Sequence, residues 1–350
     1  MGWQKLTLEN AYDIDLTRPE DRRWDEVIEK ELPAAKKLVE EARADLDNVP
    51  YYNTVLWPFR KTLGWWYRRW GAYAGELGSW ADALNMSYED YVLLQFSYEL
   101  SHAAEWYAYK RGDVASVTPF GCTAGIHYKE GQGMVHIRNM DWPLTQLGQA
   151  TRIFRFHTGR HEFIAVGILG KIGIISGMVP GNYSVTMNWA PPTGYPSLGL
   201  PLSYVIRETL HNNQQYESGV RWLRNHPLPT NGMFAVCGVK QQEAAVVERL
   251  RDQYAVRNKR RASPLCVANH FESSPLINMN GVIEADQETL DDSTQRRNTL
   301  EKILDDQGKV DDLESWQYYL DEEPVLNDGT CQQMVFHPKT GYVQAYGLHT

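Results

Sequence analysis

The rhythm of apolar and polar positions changes near residue 120. Before it, Val27, Ile28, Leu32, Leu38 and Val39 recur at three- and four-residue spacing among many Glu and Lys, predicting a helix over residues 24–46. A second helix is expected at about 77–84. A third, with Ser87 as its cap, should run through 91–109 and bury Val92, Leu93, Phe96, Leu100 and Ala103. Thr17-Arg18-Pro19-Glu20 reads as a further helix start with Thr17 as the cap. After residue 120 short alternating runs take over, at 152–157, 162–168, 173–176, 184–188, 233–239, 244–249, 265–269, 333–337 and 342–346. Helical stretches at about 201–209, 217–225 and 294–305 interrupt them. The expectation is an α+β protein built on antiparallel sheet, with a helical segment 1–121 ahead of a sheet-rich unit 122–350.

One pair of strands stands out. Gly121-Cys122 is followed by Ala124, Ile126 and Tyr128, the alternation of a half-buried strand, and Gly131-Gln132-Gly133 supplies a turn into a second strand from Met134. Such a hairpin brings Cys122 at one end together with Arg138 and Asp141 at the other.

Composition narrows the classes. The chain of 350 residues carries a net charge of −9 and no long basic face, which argues against nucleic acid as a partner. Its 12 Trp and 20 Tyr favour an apolar or amphipathic ligand. Basic and aromatic residues alternate in Trp57–Trp70, either to lie on a membrane surface or to pack on the second unit. The four cysteines contain no Cys-x-x-Cys pair, so no metal, cofactor or disulfide framework is expected, and without an apolar leader the expectation is a cytoplasmic protein.

A nucleophilic thiol at Cys122 needs a base. His127 lies an odd number of residues away on the same strand and so faces the other side of the sheet, and His136 is no better placed. Scission between Gly121 and Cys122 would supply another base, since the freed α-amine has a reference pKa of roughly 7.7–8.0. Gly121 gives the backbone freedom for that attack.

The run Gly121-Cys122-Thr123, with Arg138-Asn139-Met140-Asp141-Trp142 behind it, resembles the N-terminal-nucleophile (Ntn) cysteine amidases of the choloylglycine hydrolase superfamily, most of all the acid ceramidase and N-acylethanolamine acid amidase branch. Further similarity lies at Ala11–Leu16, Gly177–Asn188, Val267–Asn269 and Asp291–Arg297. The resemblance implies an αββα sandwich of antiparallel sheets and self-cleavage before Cys122 into an α/β heterodimer. It further implies hydrolysis of an N-acylated, lipid-like amide through an acyl-thioester. It gives Asn269 as oxyanion donor, Asn188 as a group polarising the substrate carbonyl, and Arg296, or its neighbour Arg297, as a second site arginine. Acyl transfer to an amine, a bile-salt-type amidase and an uncleaved lipid-binding protein are the alternatives. Trp189 departs from the branch, which carries an acidic residue close to that position.

Overall fold

The structure is a computed structural model and describes residues 2–48, 59–113, 121–142, 144–258, 263–306, 310 and 312–349. Its strands make two sheets. The six-stranded sheet runs β1 (Gly2–Thr7), β14 (Tyr342–His349), β13 (Thr330–His337), β4 (Gly133–Asp141), β3 (Gly121–Lys129), β12 (Leu265–Val267), antiparallel throughout. The eight-stranded sheet runs β11 (Tyr254–Asn258), β10 (Ala244–Arg249), β9 (Gly232–Cys237), β8 (Tyr183–Asn188), β7 (Ser176–Val179), β6 (Glu162–Ile168), β5 (Thr151–His157), β2 (Tyr12–Asp15). Only β2 is parallel to its neighbour, β5. The helices are α1 (Asp25–Asn48), α2 (Arg60–Trp70), α3 (Ala74–Leu84), α4 (Tyr88–Gln95), α5 (Ser97–Lys110), α6 (Thr145–Gln149), α7 (Leu202–Asn212), α8 (Tyr216–Asn225), α9 (Gly281–Glu284) and α10 (Gln287–Asp305).

Side-chain alternation sorts the core into layers. Ala124, Ile126 and Met134 of the first sheet meet Met233, Ala235 and Val246 of the second, and Met334 and Phe336 meet Ile153, Ile164 and Val166. The residues between them on each strand face outward. Val135, Ile137 and Val335 pack under Leu300 and Leu304 of α10, while Phe154, Phe156, Val185 and Phe234 pack under α1, α3, α4 and α7. The result is the expected αββα sandwich.

Several expectations change. β3 is buried on both faces along most of its length, not half-buried, because α10 covers the side that alternation would leave to water. Segment 1–121 is not helical alone, since β1 and β2 extend one sheet each and β1 pairs with β14, far away in the chain. Thr17 caps nothing; its N–H and hydroxyl both donate to the Asp15 carboxylate, at 2.9 and 2.6 Å, and a short 3-10 turn follows Pro19. Ser87 does cap a helix, accepting from Asp90 N at 3.1 Å, but that helix ends at Gln95 and a new one starts at Ser97. Strand β7 starts at Ser176, not at 173, because the preceding Ile174 N–H donates to Ser203 O at 2.9 Å instead of to a strand.

Trp57 and Pro58 of the aromatic-basic run lie outside the described residues. The rest forms α2, whose Leu63, Trp66 and Tyr67 turn inward at helical spacing while Trp65 stays 59% exposed. Among the described residues no helix is long and apolar enough to cross a membrane.

Polar contacts tie this first segment to the sandwich. Glu76 of α3, fully buried, accepts two bonds from Arg207 of α7 at 2.7 and 2.8 Å, one from Arg23 at 2.8 Å and one from the Trp24 indole at 2.6 Å. On α5, Tyr98 donates to Asn231 O at 2.9 Å, and Glu99 accepts from Leu202 N at 2.8 Å in the first turn of α7.

Candidate active site

The hairpin pairs Gly121 with Asp141 and Cys122 with Met140, so β3 and β4 present Cys122 and Arg138 on the face between the sheets, and Thr123 and Asp141 on the face under α10. The buried Arg138 guanidinium donates Nη2–H to Cys122 Sγ at 2.9 Å and to Met187 O at 2.7 Å, and Nη1–H to Ser176 Oγ at 2.8 Å. The second sheet therefore aims the arginine that touches the thiol.

Around the Cys122 main chain, N–H donates to Asn269 Oδ1 at 3.0 Å, and the Cys122 carbonyl accepts from Asn188 Nδ2 at 3.2 Å and Arg296 Nη1 at 3.0 Å. Arg296, buried on α10, also donates to Thr123 Oγ1 at 2.7 Å and to Asn269 Oδ1 at 3.0 Å. Its neighbour Arg297 turns away to Glu272 and Glu301, at 3.0 and 2.5 Å. Of the two arginines, Arg296 is the one at the site.

Asp141 is buried with its two oxygens in different situations. Oδ1 accepts from Thr330 Oγ1 at 2.7 Å; Oδ2 has no hydrogen-bond partner and lies 3.7 Å from Arg296 Nη1. Burial pushes this carboxyl above the ordinary aspartate range, against the pull of Arg296 and Thr330. Gly121 packs on it so closely that a Cβ there would stand 2.8 Å from Oδ2. A side chain at residue 121 would therefore meet the Asp141 carboxylate.

Both asparagines present more than the sequence suggests. Asn269 offers Nδ2 to Trp189 O at 3.1 Å and takes its own backbone N–H to Ser293 Oγ at 2.9 Å, leaving one amide proton uncommitted. Asn188 Nδ2 faces the carbonyls of Cys122, Val267 and Ala268 at 3.0–3.2 Å, so in this state it pins main chain, and its Oδ1 has no partner. His136 is bound to Ser184 and Thr186 and His127 lies tilted against Trp316, so neither reaches the thiol. Ser176, Ser293 and Thr330 are site members that sequence reasoning missed. Ser176 and Thr330 sit on other strands, and nothing within the 291–297 segment sets Ser293 apart.

The thiol opens into a cleft walled by Tyr98, Trp142, Ile175, Met187 and Trp189, with Lys171 also in its lining. Trp142 and Lys171 also border a second, apolar cavity lined by Leu38, Val39, Leu94 and Leu169. A thiol, a buried guanidinium, amide donors and a carboxylate oxygen without a hydrogen bond thus converge beside apolar space. Such a set suits acyl chemistry.

No family model matches the chain. It is 24% identical over 252 residues to an N-acylethanolamine-hydrolyzing acid amidase of Caenorhabditis elegans, covering 69% of this chain and 67% of that protein. It is 23% identical over 269 residues to an acid ceramidase of Balaenoptera acutorostrata scammoni, covering 69% and 64%. The chain is a homologue of these amidases. The solved C. elegans amidase superposes with a TM-score of 0.50 at 22% identity over 62% of this chain and 93% of that one, in keeping with the Ntn-hydrolase sandwich. Several mammalian amidases align with this homologue over only about half of their own length.

Proposed function

We propose that the chain is a self-processing cysteine amidase that hydrolyses N-acylated, lipid-like amides. The observation that carries this reading is Cys122 Sγ, in contact with Arg138 Nη2 at 2.9 Å, on a residue whose own N–H meets Asn269 Oδ1 at 3.0 Å. Nucleophile and prospective base sit on one residue, already oriented.

In the first step the thiol attacks the Gly121 carbonyl. The C–N bond breaks, the departing amine takes the thiol proton, and water hydrolyses the resulting thioester to leave Gly121 as a carboxylate. Segments 1–121 and 122–350 then form a heterodimer. The freed amine keeps Asn269 as acceptor and gains Asp141 Oδ2, which has no hydrogen bond of its own and lies 3.7 Å from Arg296 Nη1. In turnover this amine receives the thiol proton as sulfur attacks the substrate carbonyl, then passes it to the leaving amine. The second Asn269 amide proton serves the oxyanion, a contribution of about 3 kcal/mol. Arg138 holds the thiolate, while Asn188 and Arg296 fix the Cys122 carbonyl. Water resolves the acyl-thioester to the acid and the free thiol. The apolar cavity behind Trp142 takes the acyl chain.

The test is turnover of long-chain fatty-acyl amides together with intact mass of the purified chain. Fragments 1–121 and 122–350, and activity lost in Cys122→Ala, are expected. Turnover retained in Cys122→Ala would end the proposal.

The exposed rings favour contact with a lipid surface. Phe59, Trp65, Tyr195 and Leu198 are 65%, 59%, 53% and 81% exposed and line one apolar groove beside the basic helix α2. Liposome flotation should weaken in Trp65→Ser, and unchanged binding would remove this contact.

A further inference from the structure

The Cys122 cleft is positive although the chain carries a net charge of −9. Its charged wall residues are Arg138, Asp141 and Lys171. The first two are committed, Arg138 to Cys122, Met187 and Ser176, and Asp141 to Thr330 with Arg296 close by. Lys171 is different. It is half-buried, and among the described residues its ammonium makes no hydrogen bond or ion pair. Burial holds that ammonium below the ordinary lysine range, and the one carboxylate pulling it back is Glu99. Glu99 is poor compensation. One of its oxygens is spent on Leu202 N at 2.8 Å, and burial pushes the carboxyl up to about 7, so near neutrality it is half protonated.

A cation in an apolar cleft without a full counter-charge favours an anion from elsewhere. Lys171 also stands, with Trp142, where the apolar cavity and the thiol cleft share walls, so any amide spanning both must pass it. We propose that Lys171 is the receptor for a carboxylate carried by the substrate beside its amide, and that the chain prefers N-acyl amino acids to neutral N-acyl amides. In an N-acyl amino acid the carboxylate lies one carbon beyond the amide nitrogen. With the scissile carbonyl at Cys122, that carboxylate lies on the amine side of the amide, inside the cleft that Lys171 helps to line. The inference rests on the amidase reading and names its substrate class.

The experiment compares N-lauroylglycine with N-lauroylethanolamine on the native chain, Lys171→Met and Lys171→Arg. Lys171→Met should lose about 10- to 100-fold in kcat/KM for the glycine conjugate, mostly through KM, and under about threefold for the ethanolamide. Lys171→Arg should restore most of the loss. Equal effects on both substrates, or a native chain that prefers the ethanolamide, would overturn the proposal. Calorimetric binding of N-lauroylglycine in a Cys122→Ala background separates the two readings. There Lys171→Met should weaken affinity about as much even if no amide is ever hydrolysed, and unchanged affinity would overturn the role of Lys171 alone.

Discussion

Replacing Glu105 with glutamine is expected to stabilise the chain, and by more as the pH rises. Glu105 is buried on α5 and neither carboxyl oxygen has a hydrogen-bond partner. Burial pushes its carboxyl from 4.5 up to about 8, with the Trp189 indole opposing. The sign follows from proton counts. Between those values the unfolded chain has released the proton while the folded chain still holds it, so stability falls as pH rises through the window. At pH 7 the unfolded carboxyl is 7 − 4.5 = 2.5 units past its midpoint, which costs the fold about 3 kcal/mol; at pH 5 the cost is under about 1 kcal/mol. Glutamine keeps the shape and removes the charge. Glu99, raised to about 7 on the same helix, titrates in both proteins and cancels in the comparison. Scanning calorimetry in a Cys122→Ala background, which keeps the backbone whole, should give Tm curves that diverge by several degrees between pH 5 and pH 8. Parallel curves would refute the assignment of a neutral, buried acid at Glu105.

Other outcomes follow from contacts already described. Glu76→Ala leaves the buried Arg207 without its carboxylate and should cost about 3–5 kcal/mol, read as a lower denaturant midpoint. Gly121→Ala puts a Cβ 2.8 Å from Asp141 Oδ2 and should slow scission at residue 121 severalfold or more on denaturing gels. At the acid end, burial holds His102 and His136 down at about 3. Below the unfolded value of 6.5 the unfolded chain binds the extra protons, so stability should drop as pH falls from 6.5 towards 4, and His102→Gln with His136→Gln should flatten that limb.

Much of the sandwich was legible because alternation and helical spacing are local. The hairpin, β6 and β10 agree with their expected bounds closely for this reason. The first two strands were not legible: β1 has little apolar contrast and gains its place only by pairing with β14. Strand β11, Tyr254–Asn258, is a short edge, exposed at both ends, with no alternating stripe to find. Helix α2 was hidden by its tryptophans, which read equally as interface or core until Trp66 is seen turned in and Trp65 out. In the site, Cys122, Arg138 and Asp141 share a hairpin and could be read together. Ser176, Ser293 and Thr330 could not, since each reaches the site across a layer or from a neighbouring strand.

The long reach from Cys122 to Thr330 bears on when the protein can act during its own synthesis. Cys122 leaves the ribosome early, yet the arginine on its carbonyl is residue 296 and the hydroxyl on Asp141 is residue 330, 208 residues downstream of the thiol. Strand β13, which carries Thr330, must also close onto β4 before Asp141 is set. A nascent chain therefore holds the thiol without its setting for most of translation. Under the proposed scission, the cut is a late event that reports a completed fold, and truncated chains stay in one piece.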